Sequence, residues 1–275
     1  MKKKRLIPIL LLQNGKIVQS RNFNSYQILG SPINAIKRLS EWASDELIFL
    51  DISNNDNYDL DRDDYNVENL SNLLDIVENV SKKTFMPITV GGKIKTLKDI
   101  EIRLSKCADK VSINSEAFYN KEIIKEASKE FGSQCIVSSI DVKKNGNFYY
   151  VYVQGGKKNT EIKIHDWLNF VQDQGSGEIL LNSIDMDGQG KGYDLNLIES
   201  VKDHIKVPLI IAGGVGDYND FCIGLSYNHI DAVAAANIFH YKDQSVYYAK
   251  KMLFEKGLNI REPDLFNLEY EDDLL

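Results

Sequence analysis

The chain has 275 residues, with 40 acidic and 33 basic side chains and a formal net charge of -7. That length is enough for two ordinary domains or for one large α/β barrel, which needs about 250 residues. The acidic balance and the lack of a basic block interleaved with aromatic residues argue against a nucleic-acid surface. We therefore expect small-molecule substrates and no nucleic-acid partner.

The cysteines and histidines predict neither disulfides nor a metal site. Cys107, Cys135 and Cys222 are odd in number, widely separated and never spaced as CxxC, so we expect reduced, mostly buried thiols in a cytoplasmic protein. The four histidines show no HxxxH or similar metal-ligand spacing. We predict no metal and no cofactor.

The first residues, MKKKR followed by LIPILLL, superficially resemble a signal peptide. The apolar run is short and is not followed by a small-residue cleavage site, so a first buried strand is the better interpretation. Because no other apolar run reaches transmembrane length, we expect a soluble protein with no membrane partner.

Short apolar runs alternate with segments of helical periodicity along the chain. Intervening segments, such as residues 32–44, 67–82, 95–105 and 121–130, carry apolar residues at three- and four-residue spacing. Eight alternating units predict a closed parallel sheet, the (β/α)8 TIM barrel, as a single domain over residues 1–261 with an acidic tail at 262–275. The predicted strands are residues 5–12, 46–52, 86–90, 110–113, 134–141, 178–183, 208–212 and 232–235.

Residues 142–158, VKKNGNFYYVYVQGGKK, interrupt this alternation. The turn signal Asn145-Gly146 is followed by alternating aromatic residues, a pattern typical of a β-hairpin. We predict a hairpin inserted after the fifth barrel strand.

Residues 177–194, GEILLNSIDMDGQGKGYD, combine a buried strand, a carboxylate-rich turn and a glycine-rich loop. Gly188, Gly190 and Gly192 can bring backbone N–H groups close to an anion, as glycine loops do when they hold phosphate. A flexible surface turn explains the glycines equally well.

The two halves of the chain resemble each other. Gly91-Gly92 and Gly213-Gly214 each follow an apolar strand, and an aspartate, Asp109 or Asp231, comes eighteen residues after the first glycine of each pair. Two related halves predict two related anion sites on one face of the barrel.

Nine segments together carry a family resemblance, which runs from residue 5 to about residue 261. The segments are RLIPILLLQNGKIV, DELIFLDIS, PITVGGKI, ADKVSINSEAF, FGSQCIVSSIDVKKNG, GKKNT, GEILLNSIDMDG, IIAGGVG and DAVAAANIFH. With these segments, the chain resembles the cyclase subunit of imidazole glycerol phosphate synthase. The resemblance implies a barrel that binds a substrate with two phosphates and receives ammonia through its interior from a glutaminase docked at the bottom.

At the lower mouth of the barrel, the resemblance implies four alternating charges that form a salt-bridged gate for ammonia. The matching positions are Arg5, Glu46, Lys110 and Glu178. Two cations and two anions neutralise one another, which lowers the cost of holding charge near an apolar interior. Asp109 matches a position that contacts the glutaminase, so we expect a heterodimer through this face.

At the upper mouth, the resemblance implies two carboxylates that act as general acid and base. Asp141 retains the carboxylate of the fifth strand, whereas Leu11 stands where the first strand should carry the other. Gln19 replaces a lysine that is usual in the first loop. Since leucine cannot transfer a proton, we expect inefficient cyclase chemistry.

The resemblance also implies two phosphate sites, both altered. The first corresponds to Gly92, Asn114 and Ser115, with Lys93 in place of a third glycine; this lysine can hold an anion or block it. The second retains Asp187, Gly188, Gly213 and Gly214, followed by Ala236 and by Asn237 in place of a small hydroxyl residue.

Three functions remain open, and Leu11 favours the first. One is a divergent synthase subunit that takes ammonia from a glutaminase for another acceptor, a phosphorylated or nucleotide-linked molecule such as an acetamido sugar of surface-polysaccharide synthesis. The second is an ordinary cyclase of histidine biosynthesis. The third is a non-catalytic scaffold that activates the glutaminase.

Overall fold

In the computed structural model, residues 3–55, 58, 72–81, 86–106, 108–241 and 244–264 are described. These residues form strands β1 (Arg5–Gln13), β2 (Lys16–Arg21), β3 (Ser25–Gly30), β4 (Leu47–Asp51), β5 (Ile88–Gly91), β6 (Lys110–Ile113), β7 (Ile136–Asn145), β8 (Phe148–Val153), β9 (Lys158–Lys163), β10 (Glu178–Ser183), β11 (Leu209–Ala212) and β12 (Ala232–Ala235). The helices are α1 (Pro32–Glu41), α2 (Leu73–Ser81), α3 (Leu97–Lys106), α4 (Glu116–Tyr119), α5 (Ile123–Phe131), α6 (Ile164–Asp173), α7 (Leu195–Val201), α8 (Tyr218–Ser226) and α9 (Ser245–Glu255).

Eight strands close into a parallel barrel in the order β1-β4-β5-β6-β7-β10-β11-β12, and β12 pairs with β1 to complete the ring. At least one helix follows each barrel strand, or its hairpin, before the next. The predicted (β/α)8 TIM barrel is therefore confirmed, and each of the eight apolar runs forms one of its strands.

Along each barrel strand, successive side chains point alternately into the barrel and out toward the helices. Ile7 and Ile9 of β1 join Ile48, Leu180 and Ile210 in an interior cluster. The strand residues between them face outward and pack in a larger outer cluster that includes residues of α1, α3 and α6. Because alternate residues face the same way, a polar residue at the start of a strand and one at its end can share the inward face.

Two antiparallel hairpins extend the barrel at its carboxyl end. β7 continues past Asp141 and pairs with β8, which pairs with β9, so the Asn145-Gly146 turn closes a hairpin directly on the fifth barrel strand. The other hairpin, β2–β3, follows β1 and was not predicted. Its signal is the turn Asn14-Gly15, where both residues have positive φ.

The observed helices differ from the predicted segments mainly at their ends. The segment predicted at 67–82 becomes α2 over Leu73–Ser81, and residues 67–71 and 82 of that segment lie outside the described part. Most of the predicted acidic tail, residues 265–275, also lies outside it. Within the described ranges, no helix combines the length and apolar character that a membrane crossing requires.

Candidate active site and charged ring

The predicted gate residues meet as a closed ring at the amino-terminal end of the barrel strands. Arg5 contacts Glu46 at 2.7 Å and Glu178 at 2.5 Å, and Lys110 contacts the same two carboxylates at 3.1 and 2.9 Å. Although burial raises the pKa of Glu178, Arg5 and Lys110 outweigh it and hold that pKa below its ordinary value. The ring pairs two basic side chains with two acidic ones, so their formal charges cancel.

The ring and the upper mouth lie on the same inward face of the strands. Glu178 is followed two and four residues later by Leu180 and Asn182, and Lys110 is followed four residues later by Asn114. Leu180 belongs to the interior cluster, whereas both asparagines bond Asp141 at the opposite end. An apolar interior therefore separates a charged entrance from a polar mouth.

Asp109, the predicted interface residue, accepts a hydrogen bond from its own chain. Its Oδ2 accepts the backbone N–H of Ile88 at 2.8 Å, and Asp231 accepts that of Leu209 at 3.1 Å in the second half. This repeated bond joins neighbouring strands at their starts. Asp109 is nevertheless exposed, which leaves its charge accessible at the lower face.

Asp141 lies buried at the upper mouth, where β7 leaves the barrel. Its carboxylate accepts a bond from Asn114 Nδ2 at 2.8 Å and another from Asn182 Nδ2 at 3.3 Å. Burial raises the pKa of Asp141 to about 6 even though both amides lower it, and the nearby Asp187 raises it further. A carboxyl group with a pKa near neutrality is suited to accept and return a proton.

Leu11 occupies the equivalent position on β1 and supplies no such group. It is paired with Leu50 of β4 and with Val18 of β2, and it packs, partly buried, against the interior cluster. The backbone is in register with its neighbours, so the absence of a carboxylate comes from the residue itself. Gln19 bonds Gln27 and the hydroxyl of Tyr241 on the surface.

A second carboxylate, Asp187, lies under the β2–β3 hairpin. Its Oδ2 accepts Ser20 Oγ at 2.7 Å and the N–H of Phe23 at 3.2 Å. Burial raises the pKa of Asp187 despite these bonds. Tyr26 pairs with Ser20 across the hairpin, and burial together with Asp187 and Asp141 raises the pKa of its phenol. Ser20 and Tyr26 were missed in the sequence because their contacts depend on the unpredicted hairpin.

The first predicted phosphate site brings Gly92, Lys93, Asn114 and Ser115 to the upper face, but its side chains have partners in the chain. Lys93 lies 3.3 Å from the Asp51 carboxylate and bonds the carbonyl of Asn55. Ser115 Oγ accepts the Gln154 N–H at 2.8 Å and donates to Asn114 Oδ1 at 3.2 Å. Asp51 was missed as a site residue, although it lies at the upper end of barrel strand β4 as Asp141 does in β7.

The second predicted site is formed by Asp187, Gly188, Gly213, Gly214, Ala236 and Asn237. Gly214 has a φ of +106°, and a Cβ there would lie 2.1 Å from the carbonyl oxygen of Gly192, so only glycine fits. Asn237 donates to the Ser20 carbonyl at 2.8 Å, while its buried Oδ1 has no partner in the described part of the chain. These loops and the hairpin meet around one side of the mouth.

Comparison with known proteins identifies the family of this chain. The family described as "Histidine biosynthesis protein" matches residues 5–245. The chain belongs to this family. One relative in it is the "Imidazole glycerol phosphate synthase subunit HisF" of Natranaerobius thermophilus, which is 40% identical over 258 residues, 94% of this chain and 98% of the relative.

Membership of the histidine biosynthesis family confirms the resemblance inferred from the sequence, and this chain is a HisF-like cyclase-type subunit. The comparisons favour the histidine-pathway reading over the divergent one, and they give the surface-polysaccharide role no support. On the sequence alone, Leu11 placed the divergent synthase subunit above the histidine-biosynthesis cyclase. The comparisons reverse that order.

The cysteine prediction needs correction. Cys135 and Cys222 are free but only half-buried, because each lies at the edge of the outer core rather than within it. Cys107 lies outside the described residues. Among the side chains that the structure describes, no group of three His, Cys, Asp or Glu residues is arranged to hold a metal ion.

Proposed function

We propose that this chain is the ammonia-using synthase subunit of a glutamine amidotransferase. The observation that carries the proposal is the complete ring of Arg5, Glu46, Lys110 and Glu178 beneath a buried Asp141, with an apolar interior between them. A ring of this kind admits a small neutral molecule when one ion pair opens, while the apolar interior excludes charged species.

The partner in this proposal is a glutaminase that docks on the lower face and forms a heterodimer. The relative's name as a synthase subunit supports a partner, since a subunit works in an assembly. The exposed carboxylate of Asp109 beside the ring supplies charge for the contact. We also place the protein in the cytoplasm, which suits the free thiols of Cys135 and Cys222.

The acceptor is a phosphorylated or nucleotide-linked small molecule bound at the upper mouth. Asp141 exchanges a proton with the attacking nitrogen, and the glycine loops around Gly213 and Gly214 hold an anionic group through backbone N–H groups. The first candidate reaction is imidazole glycerol phosphate formation in histidine biosynthesis, which the family and the HisF relative support.

The second candidate is amidation of another acceptor, such as an acetamido sugar for a surface polysaccharide. The observation in its favour is Leu11, which removes half of the acid–base pair that cyclisation uses. A scaffold that only activates the glutaminase is the remaining alternative.

The test is turnover in saturating ammonium, which makes a glutaminase unnecessary. Purified protein is incubated with the histidine-pathway substrate or with a nucleotide-linked acetamido sugar, and Asp141→Asn serves as the matched inactive variant. We expect Asp141-dependent product from one acceptor, and the histidine-pathway substrate is the first expectation. If neither is consumed while the chain still stimulates its glutaminase, the synthase proposal is wrong and the scaffold alternative holds.

A further inference from the structure

The β2–β3 hairpin leans across the upper mouth of the barrel. It continues from β1, yet Ser20 Oγ donates to Asp187 at 2.7 Å, and Asp187 lies in the loop after β10. In the ring of strands, β11 and β12 separate β10 from β1. At the hairpin tip, a Cβ on Gly156 would lie 3.1 Å from Phe23 Cδ2, so the tip packs against the turn between β8 and β9. Because that turn belongs to the extension of the Asp141 strand, the hairpin reaches two sides of the mouth.

One face of the hairpin continues the inward face of β1. Leu11 lies opposite Val18 in the β1–β2 pair, and Ser20 lies opposite Tyr26 in the β2–β3 pair. Side chains directly opposite in an antiparallel pair share a face, and so do residues two apart on one strand. Ser20 and Tyr26 therefore lie on the face of Leu11, which packs against the interior cluster. The register thus brings a phenol to the face from which the first-strand carboxylate is missing.

The Tyr26 phenol lies within reach of the charges at the mouth. Its hydroxyl donates to the Phe23 carbonyl at 3.1 Å. Burial raises its pKa, Asp187 and Asp141 raise it further, and a hydrogen bond with Ser20 opposes them. The residue is 38% exposed, so a bound acceptor can contact it. A phenol with a raised pKa keeps its proton at neutral pH, which suits it to donate that proton.

We propose that Tyr26 is a catalytic residue, the proton donor that takes the place of the carboxylate missing at Leu11 and works in a pair with Asp141. This inference rests on the proposed function, because it completes the acid–base pair of the same site. Two titratable groups whose environments differ can divide the roles of acid and base between them.

The pair serves the addition of ammonia to a carbonyl group of the acceptor, either a ketone or an amide. The nitrogen lone pair forms a bond to the carbonyl carbon, and the electrons of the C=O double bond move to its oxygen. Tyr26 gives its proton to that oxygen, and Asp141 takes a proton from the nitrogen. The product is a neutral amino alcohol. The proton on Asp141 then returns to the Tyr26 phenolate through water at the open mouth, so both residues are restored and no oxidant or reductant is needed.

The test is ammonium-driven turnover of the acceptor that the wild type consumes. Tyr26→Phe keeps the ring and should lower kcat by roughly 100-fold with little change in KM. Leu11→Asp should raise turnover by a larger factor in the Tyr26→Phe background than in the wild type, since either residue can supply the proton. The matched control is Tyr241→Phe, which removes a hydroxyl bonded to the same hairpin at Gln19 and should retain wild-type turnover.

A second measurement tests the pairing without turnover. In protein labelled with [ζ-¹³C]tyrosine, the Tyr26 signal is identified by its loss in Tyr26→Phe. It should shift as Asp141 ionises at about pH 6, and Asp141→Asn should remove this shift. Equal turnover in Tyr26→Phe and wild type, or a Tyr26 signal that Asp141→Asn leaves unchanged, would overturn the proposal while the synthase function stands. Wild-type protein that consumes neither acceptor would refute the proposed function and this inference with it.

Discussion

Replacing Asp141 with asparagine should stabilise the protein at neutral pH, and this gain in stability should disappear in acid. Burial raises the pKa of Asp141 from its ordinary 3.8 to about 6. Between those values the folded protein holds a proton that the unfolded chain releases, so folding is weakened as the pH rises. The contribution of this group to stability is fully present below about pH 4 and is lost as the pH passes through 6.

The magnitude follows from the size of the shift. Two pKa units at about 1.4 kcal/mol each amount to about 3 kcal/mol of lost stability at pH 8 relative to the acid limit. About half of that loss develops between pH 5 and pH 8, because the unfolded carboxyl group is already ionised at pH 5. Asparagine cannot ionise, so the variant does not lose stability in this way. One of the two hydrogen bonds from Asn114 and Asn182 is weakened, because asparagine has one acceptor oxygen where aspartate has two.

The assay is urea unfolding of both proteins at pH 5, 6, 7 and 8 with linear extrapolation. The free energy of unfolding of Asp141→Asn minus that of the wild type should increase by roughly 1 to 2 kcal/mol across this range. Asp185→Asn, which removes an exposed carboxylate from the same face, is the control and should show little change. A difference that stays flat, or that falls with rising pH, would refute the assignment of a raised pKa to Asp141.

Three further predictions concern the ring, the lower face and the missing carboxylate. Glu178→Gln should lower the free energy of unfolding at neutral pH by about 3 kcal/mol, measured by urea unfolding, since it leaves both ring cations short of an anion. Asp109→Asn keeps the strand-start bond but removes the charge, so it should weaken glutaminase binding about tenfold by calorimetry, whereas Asp231→Asn should not. Leu11→Asp should raise ammonium-driven turnover of the histidine-pathway substrate by about 10-fold or more, and no increase would show that Asp141 works without a partner on the first strand.

The barrel could be predicted from the sequence because burial on both faces leaves an apolar run at every parallel strand. Residues 110–113, 178–183 and 232–235 were predicted with the bounds that the structure gives to β6, β10 and β12. Strand ends elsewhere moved by one or two residues, except that β7 ends four residues later than predicted because it continues into its hairpin without a break. The β2–β3 hairpin was missed because β3 is exposed, so burial does not impose an uninterrupted apolar run on its residues.

Positions at strand ends could also be predicted, but the partners of their side chains could not. The ring is the exception: its four residues start four barrel strands, and two basic and two acidic side chains at the same end of a barrel pair with one another. Lys93 shows the limit: its sequence position allows an anion ligand or a block, and only the fold reveals Asp51 beside it. Long side chains reach several neighbours, so spacing along the chain does not select among them.

The most direct test of the synthase proposal follows the source of the transferred nitrogen. The complex of this chain with its glutaminase is given the accepted substrate, [amide-¹⁵N]glutamine and an excess of unlabelled ammonium, and the isotope content of the product is measured by mass spectrometry. Ammonia passing through the ring from the partner predicts product enriched in ¹⁵N, and Glu178→Gln should lower that enrichment. Product that carries only nitrogen from the unlabelled ammonium in the solution would contradict an ammonia path through the barrel.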